Sequence, residues 1–203
     1  MSEISPLEWF LTLAFAAAIV HLYTAMLHDW PGPASEEPQG AQQEGVSTSI
    51  PAGGLEDALH SIRRAGGYAD LDAFVGGARL AYERIIMAYA AGDLGPVTSL
   101  LAPAIHQAFA RAIVERQARG ETETMTFIGF LACEPVDAGF EEGTAWIEMR
   151  FVAQMVSMTT DRTGKVVAGD SRRIAEMSEA WTFSRETRSR DPNWTLIATR
   201  EDD

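Results

Sequence analysis

The residues best suited to chemistry stand singly in this chain. Glu148 and Arg150 lie two positions apart in "TAWIEMRFVAQMVSM", which places both on one face of a strand. His106 has no obvious partner in sequence. General acid–base catalysis needs a carboxylate or histidine with converging polar groups. No such constellation is visible, so no catalytic residue is assigned and an enzyme is not expected. The other histidines, His21, His28 and His60, show no metal-ligand spacing, and Cys133 is the sole thiol. No metal site, cofactor or internal disulfide is therefore expected. Cys133 falls in the apolar run "FIGFLACEPV" and reads as a small core residue.

The densest stretch is "WTFSRETRSRDPNW", residues 181–194, with two tryptophans and Arg185, Arg188 and Arg190. The chain around it is acidic, with a net charge of −13 over 203 residues. Nucleic-acid binding needs a basic footprint that this composition lacks. Two readings of the arginines are open. They balance Glu176, Glu179, Glu186 and Asp191, or Arg188 and Arg190 join Arg111, Arg116 and Arg119 in a patch facing an anion. Asp191 can accept a bond from the backbone two residues on, Pro192 presets a turn dihedral and Asn193 tolerates the next. "RSRDPNW" therefore reads as the connection of a hairpin. Trp181 and Phe183 share a strand face with Met177, which should pack on helices.

The elements around these residues divide the chain. Residues 9–27, "WFLTLAFAAAIVHLYTAML", carry no formal charge. About 20 such residues span a bilayer as a helix, and Trp9, Tyr23 and Trp30 lie near its ends, where such rings favour the interface. The preceding "MSEISPLE" has no Lys or Arg and no clear cleavage site follows, so residues 1–30 read as an uncleaved single-pass membrane anchor. All 16 Lys and Arg lie at or after Arg63, so flanking charge does not set the topology. Residues 31–54 are rich in Pro, Gly, Ser and Gln and read as a disordered linker, reaching about 25–30 Å as a flexible coil.

A connecting amphipathic helix is expected over 55–67, followed by the folded domain over 68–203. Phe74, Ala78, Ala81, Ile85 and Ala88 recur at helical spacing, widened by Tyr82, Ile86 and Tyr89. A short helix is expected at 94–101. Pro103 opens another, with Ile105, Ala108, Phe109, Ala112 and Ile113 inward and Arg111, Arg116 and Arg119 outward. From Glu121 the period becomes two. "ETMTFIGFLACEPV" precedes, through "DAGFEEG", a strand whose Ala145, Ile147, Met149, Phe151, Ala153 and Met155 share one face. "DRTGK" turns the chain to a third strand at about 176–187, and a fourth runs from Trp194 to about Thr199. The result is an α+β fold, with helices on a curved four-stranded antiparallel sheet of cystatin-like or nuclear-transport-factor-like form. A candidate pocket lies between Ala145, Ile147, Met149, Phe151 and Met155 on the sheet and Phe74, Ala78, Tyr82, Ile85 and Phe109 on the helices. Met125, Met149, Met155, Met158 and Met177 suit an adaptable cavity or serve as ordinary gap-fillers.

"GARLAYERIIMAYAAGDL", "LLAP", "AIVERQARGE", Gly169-Asp170 and "WTFSRETRSRDPNWTLIAT" together resemble the Tim44-like (Tim forty-four-like) domain family, in the manner of its membrane-anchored bacterial TimA branch. The residues carrying the resemblance most specifically are Trp181, Phe183, Arg185, Ser189, Asp191, Pro192, Asn193 and Trp194. The resemblance implies an α+β domain with an apolar pocket for membrane lipid, held on the cytoplasmic side of a bacterial inner membrane. It implies an adaptor that binds a protein partner or anionic lipid, linked to protein transport or membrane-protein assembly.

Overall fold

The computed structural model describes residues 54–65 and 71–202. The expected anchor over residues 1–30 lies outside this range, as does all of the linker but its last residue. Among the described residues, no helix is long and apolar enough to cross a membrane. The helices come first: α1 (Gly54–Arg64), α2 (Leu71–Ala91), a 3₁₀ turn (Gly95–Leu100) and α3 (Pro103–Ala118). The strands follow: β1 (Thr122–Glu141), β2 (Thr144–Thr160), β3 (Val166–Gly169), β4 (Ala175–Glu186) and β5 (Thr195–Glu201). They form one antiparallel sheet in the order β1-β2-β4-β5, with β3 paired to β2.

Five strands stand where four are expected, because "DRTGK" turns the chain into the short β3 before β4 begins. Asp161 makes that turn, its Oδ1 accepting bonds from Thr163 N at 2.8 Å and Lys165 N at 3.1 Å. The "DAGFEEG" connection is also shorter than expected. Strand β1 runs on through Asp137–Glu141, and only Glu142-Gly143 turn the chain.

Of the expected α2 stripe, Phe74, Ala78, Tyr82, Ile85 and Ile86 are buried, Ala81, Ala88 and Tyr89 are half-buried, and Ala90 is buried beyond the expected set. It meets the inner face of β2, where Ala145, Ile147, Met149, Phe151 and Ala153 have no exposed surface. The α1 helix adds Leu59 and Ile62 to the same core. Register slips at Phe127/Gly129, Phe130/Ala132 and Pro135/Asp137 mark bulges in β1, and bulges bend a strand and increase its twist. Beyond the 3₁₀ turn, Ala102 N donates to Leu196 O at 2.9 Å, tying the start of α3 to β5. Pro103 opens α3, where its missing N–H costs nothing.

Aromatic rings fill the contact between α2 and the sheet. Tyr82 lies 4.5 Å from Trp181, 4.7 Å from Phe151 and 5.4 Å from Phe130, centroid to centroid. Phe74 touches Phe183 at 6.1 Å and Trp194 at 4.7 Å. Trp181 is thus a core residue shared by both layers. Trp181→Ala should lower stability by about 3–5 kcal/mol through lost burial and the cavity left behind. Denaturant titration checks this, and an unchanged midpoint would place the ring outside the core.

Candidate functional site

Alternation along β4 puts Met177, Glu179, Trp181 and Phe183 on one face. Three of them are apolar or aromatic. The fourth is a carboxylate driven into the core, and Glu179 is only 4% exposed. Tyr82 Oη donates to its Oε2 at 2.7 Å. The Trp181 indole favours its charged form too, but Trp181 Nε1 has no hydrogen-bond partner of good geometry. Burial pushes the Glu179 carboxyl up to about 7, against the lowering effect of Tyr82 and Trp181, and nearby Glu201 raises it further. The Tyr82 hydroxyl is likewise raised, chiefly by burial and then by the facing carboxylate. This pair is the nearest thing to an acid–base site in the domain. With Tyr82 0% and Glu179 4% exposed, the pair is enclosed between the layers, and the arrangement completes the packing of α2 on the sheet.

A second buried polar group contradicts the outward placing of Arg116. Arg116 is 8% exposed, and its guanidinium pairs with Glu123 of β1. The same group donates to Tyr89 O at 2.8 Å and Ala90 O at 2.9 Å, and its carbon lies 5.2 Å from the centre of the Tyr89 ring. Those carbonyls belong to the last turn of α2, where a cation complements the helix dipole. Gly92, with φ +76°, completes that terminus: Gly92 N bonds Tyr89 O and Asp93 N bonds Ala88 O. Burial raises the Glu123 carboxyl while Arg116 lowers it. Arg116 therefore leaves the expected anion-facing patch.

The outer face of the sheet is an ion-pair ladder. Arg150 reaches Asp202 at 2.6 Å and Glu134 at 3.1 Å, and Arg200 reaches Glu148 at 2.5 Å. Glu148 and Arg150 are thus paired with side chains of other strands, Arg200 and Glu134. Cys133 is half-buried, and burial pushes its thiol up to about 11, far from a reactive thiolate.

The motif residues form the corner between β4 and β5. Trp181 and Phe183 are buried, and half-buried Trp194 rests on Phe74. Between them the loop closes on itself. Asp191 Oδ1 accepts from Asn193 N at 2.9 Å, as expected, Ser189 Oγ accepts from Asp191 N at 3.1 Å, and Arg185 Nε donates to Asp191 O at 3.2 Å. Pro192, Asn193, Arg188 and Arg190 are exposed. Glu179 balances no arginine here, since its partner is Tyr82. The Gly169-Asp170 motif is explained by a close approach. Gly169 has φ +73°, and a side chain there would run into the Ser157 carbonyl. The candidate pocket residues Phe74, Tyr82, Ile85, Phe109, Ala145, Ile147, Met149, Phe151 and Met155 all lie in the core, at 8% exposure or less.

These features define a two-layer domain whose inner polar groups serve packing and whose stretch from Trp181 to Trp194 forms a structural corner. Residues 55–201 match the Tim44-like domain, and the chain belongs to that family. Tim44-like domains are membrane-associated and mediate protein or membrane interactions. No curated protein matches the chain in sequence. Among solved structures, the intermembrane space region of the chloroplast protein ARC6 is similar, with 11% identity and a TM-score of 0.46, over 66% of this chain and 98% of that one.

Glu179 gives the site a measurable signature. Its folded pKa, about 7, lies above the ordinary 4.5, so the folded chain holds a proton that the unfolded chain has released between those values. Its contribution is fully present below about pH 4.5 and is lost as pH rises through 7, by about 3 kcal/mol. Denaturant titrations of wild type and Glu179→Gln at pH 4.5 and pH 8 should show their difference moving in favour of the variant by that amount. A difference independent of pH would mean that Glu179 is not buried as described.

Proposed function

We propose that this chain is a membrane-attached, non-catalytic adaptor. Residues 1–30 anchor it in a bacterial inner membrane, residues 31–54 tether it, and the domain faces the cytoplasm as in the TimA branch. The domain binds a protein partner or lipid, in a role tied to protein transport or membrane-protein assembly. The observation that carries this reading is the family match over residues 55–201. The uncharged run at 9–27 supports the attachment. The fate of the conspicuous polar groups supports a role without chemistry: Glu179 and Arg116 are enclosed, and Glu148 and Arg150 are held in cross-strand pairs.

The full chain should sediment with membranes and resist carbonate and high salt, whereas a chain starting at Leu55 should stay in solution and remain folded by circular dichroism. Recovery of the full chain in the soluble fraction with its N-terminus removed would overturn the anchor.

A further inference from the structure

One surface segment departs from the acidic character of the chain. Residues 161–174, "DRTGKVVAGDSRRI", hold Arg162, Lys165, Arg172 and Arg173 against Asp161 and Asp170, a net charge of +2 in a chain of −13. Both aspartates are engaged within the segment. Asp161 Oδ1 accepts from Thr163 Oγ1 at 2.6 Å and Asp170 Oδ1 from Arg172 N at 2.9 Å, and bonds of this kind lower both carboxyls. Arg162 donates to Ala118 O at 3.3 Å, seating the segment against the end of α3 beside Arg119.

The same segment exposes aliphatic surface. Val166 is 46% exposed, Val167 41% and Ile174 55%. Successive strand residues point to opposite faces, so Val166 and Val167 show apolar surface on both sides of β3. All of residues 162–167 and 171–174 are exposed.

We propose that this tip, β3 with its flanking turns, docks on an anionic bilayer surface. Cations beside a lipid headgroup layer are attracted to its phosphates, while neighbouring aliphatic side chains enter the acyl boundary. A planar fluid interface accepts apolar groups on both faces of a protruding ribbon, whereas an acidic peptide would meet one face. The proposal adds a second contact to the membrane-attached reading and rests on it for access to the bilayer.

The test uses the full chain with Cys133→Ser and Val167→Cys, labelled at the new thiol with a polarity-sensitive fluorophore. It is mixed with vesicles of phosphatidylcholine alone or with phosphatidylglycerol, and flotation is measured in parallel. The tip docks if emission shifts to the blue on the anionic vesicles only and the shift weakens in 1 M salt. Arg172→Glu with Arg173→Glu should then reduce the shifted fraction about tenfold or more without changing flotation. Lys165→Gln, a milder change, should reduce it in the same direction. An unshifted probe on anionic vesicles overturns the proposal, whether or not the chain floats. So does an equal shift on neutral vesicles, or a shift produced by soluble polyglutamate alone. Failure to float on the neutral vesicles, by contrast, speaks against the anchor; flotation on anionic vesicles alone, with the blue shift, still supports the tip.

Discussion

The domain depends on the seating of one side chain, Tyr82, between α2 and the sheet. Its ring is fully buried among Phe127, Phe130, Phe151 and Trp181. A ring of this size contributes much apolar burial, but its hydroxyl cannot be left without a partner. Glu179 meets that need from the inner face of β4. Together they set where α2 lies along the sheet, because only one register brings the hydroxyl to the carboxylate. The burial that holds the ring also desolvates the acid. Much of the ordinary preference of Glu179 for ionisation is thereby given up to the fold.

The Arg116 cluster fastens the other end of α2. One guanidinium there joins α2, α3 and β1, satisfying two helix-end carbonyls and neutralising Glu123. Breaking a buried pair of this kind by removing one partner is strongly destabilising, because the remaining charge is left uncompensated. The ladder of Glu134, Glu148, Arg150, Arg200 and Asp202, half-buried to exposed on the outer face, contributes much less per pair. Its role is to keep the outer face polar.

Periodicity made most of this architecture legible. The stripe from Phe74 to Ile86 and the alternation from Ala145 to Met155 each follow one period, so most of the buried faces of α2 and β2 could be read directly, although Val152 is buried out of phase. The Asp191 turn was legible from its local chemistry. Elements without a sustained period were harder. Strand β3 has four residues, too few to establish one, and the three slips in β1 reset the alternation between Phe127 and Asp137. Glu179 and Arg116 were obscured by charge, since both residue types are ordinarily exposed. Position supplied the missing signal. Glu179 has the parity of Trp181 and Phe183, and Arg116 continues the Ile105, Phe109, Ile113 stripe at helical spacing.

A buried acid beside a tyrosine invites a catalytic reading, whereas the adaptor account assigns it to the fold. The two diverge at Glu179→Gln. Gln retains an acceptor for Tyr82 Oη and the side-chain shape, but it cannot ionise or transfer a proton. The direct measurement is site-specific photocrosslinking of the membrane-bound full chain, with and without this substitution, alongside near-ultraviolet circular dichroism. The account predicts an unchanged crosslink pattern and unchanged tertiary dichroism at pH 7. Loss of the crosslinks with the dichroism intact would contradict it and make Glu179 a functional residue.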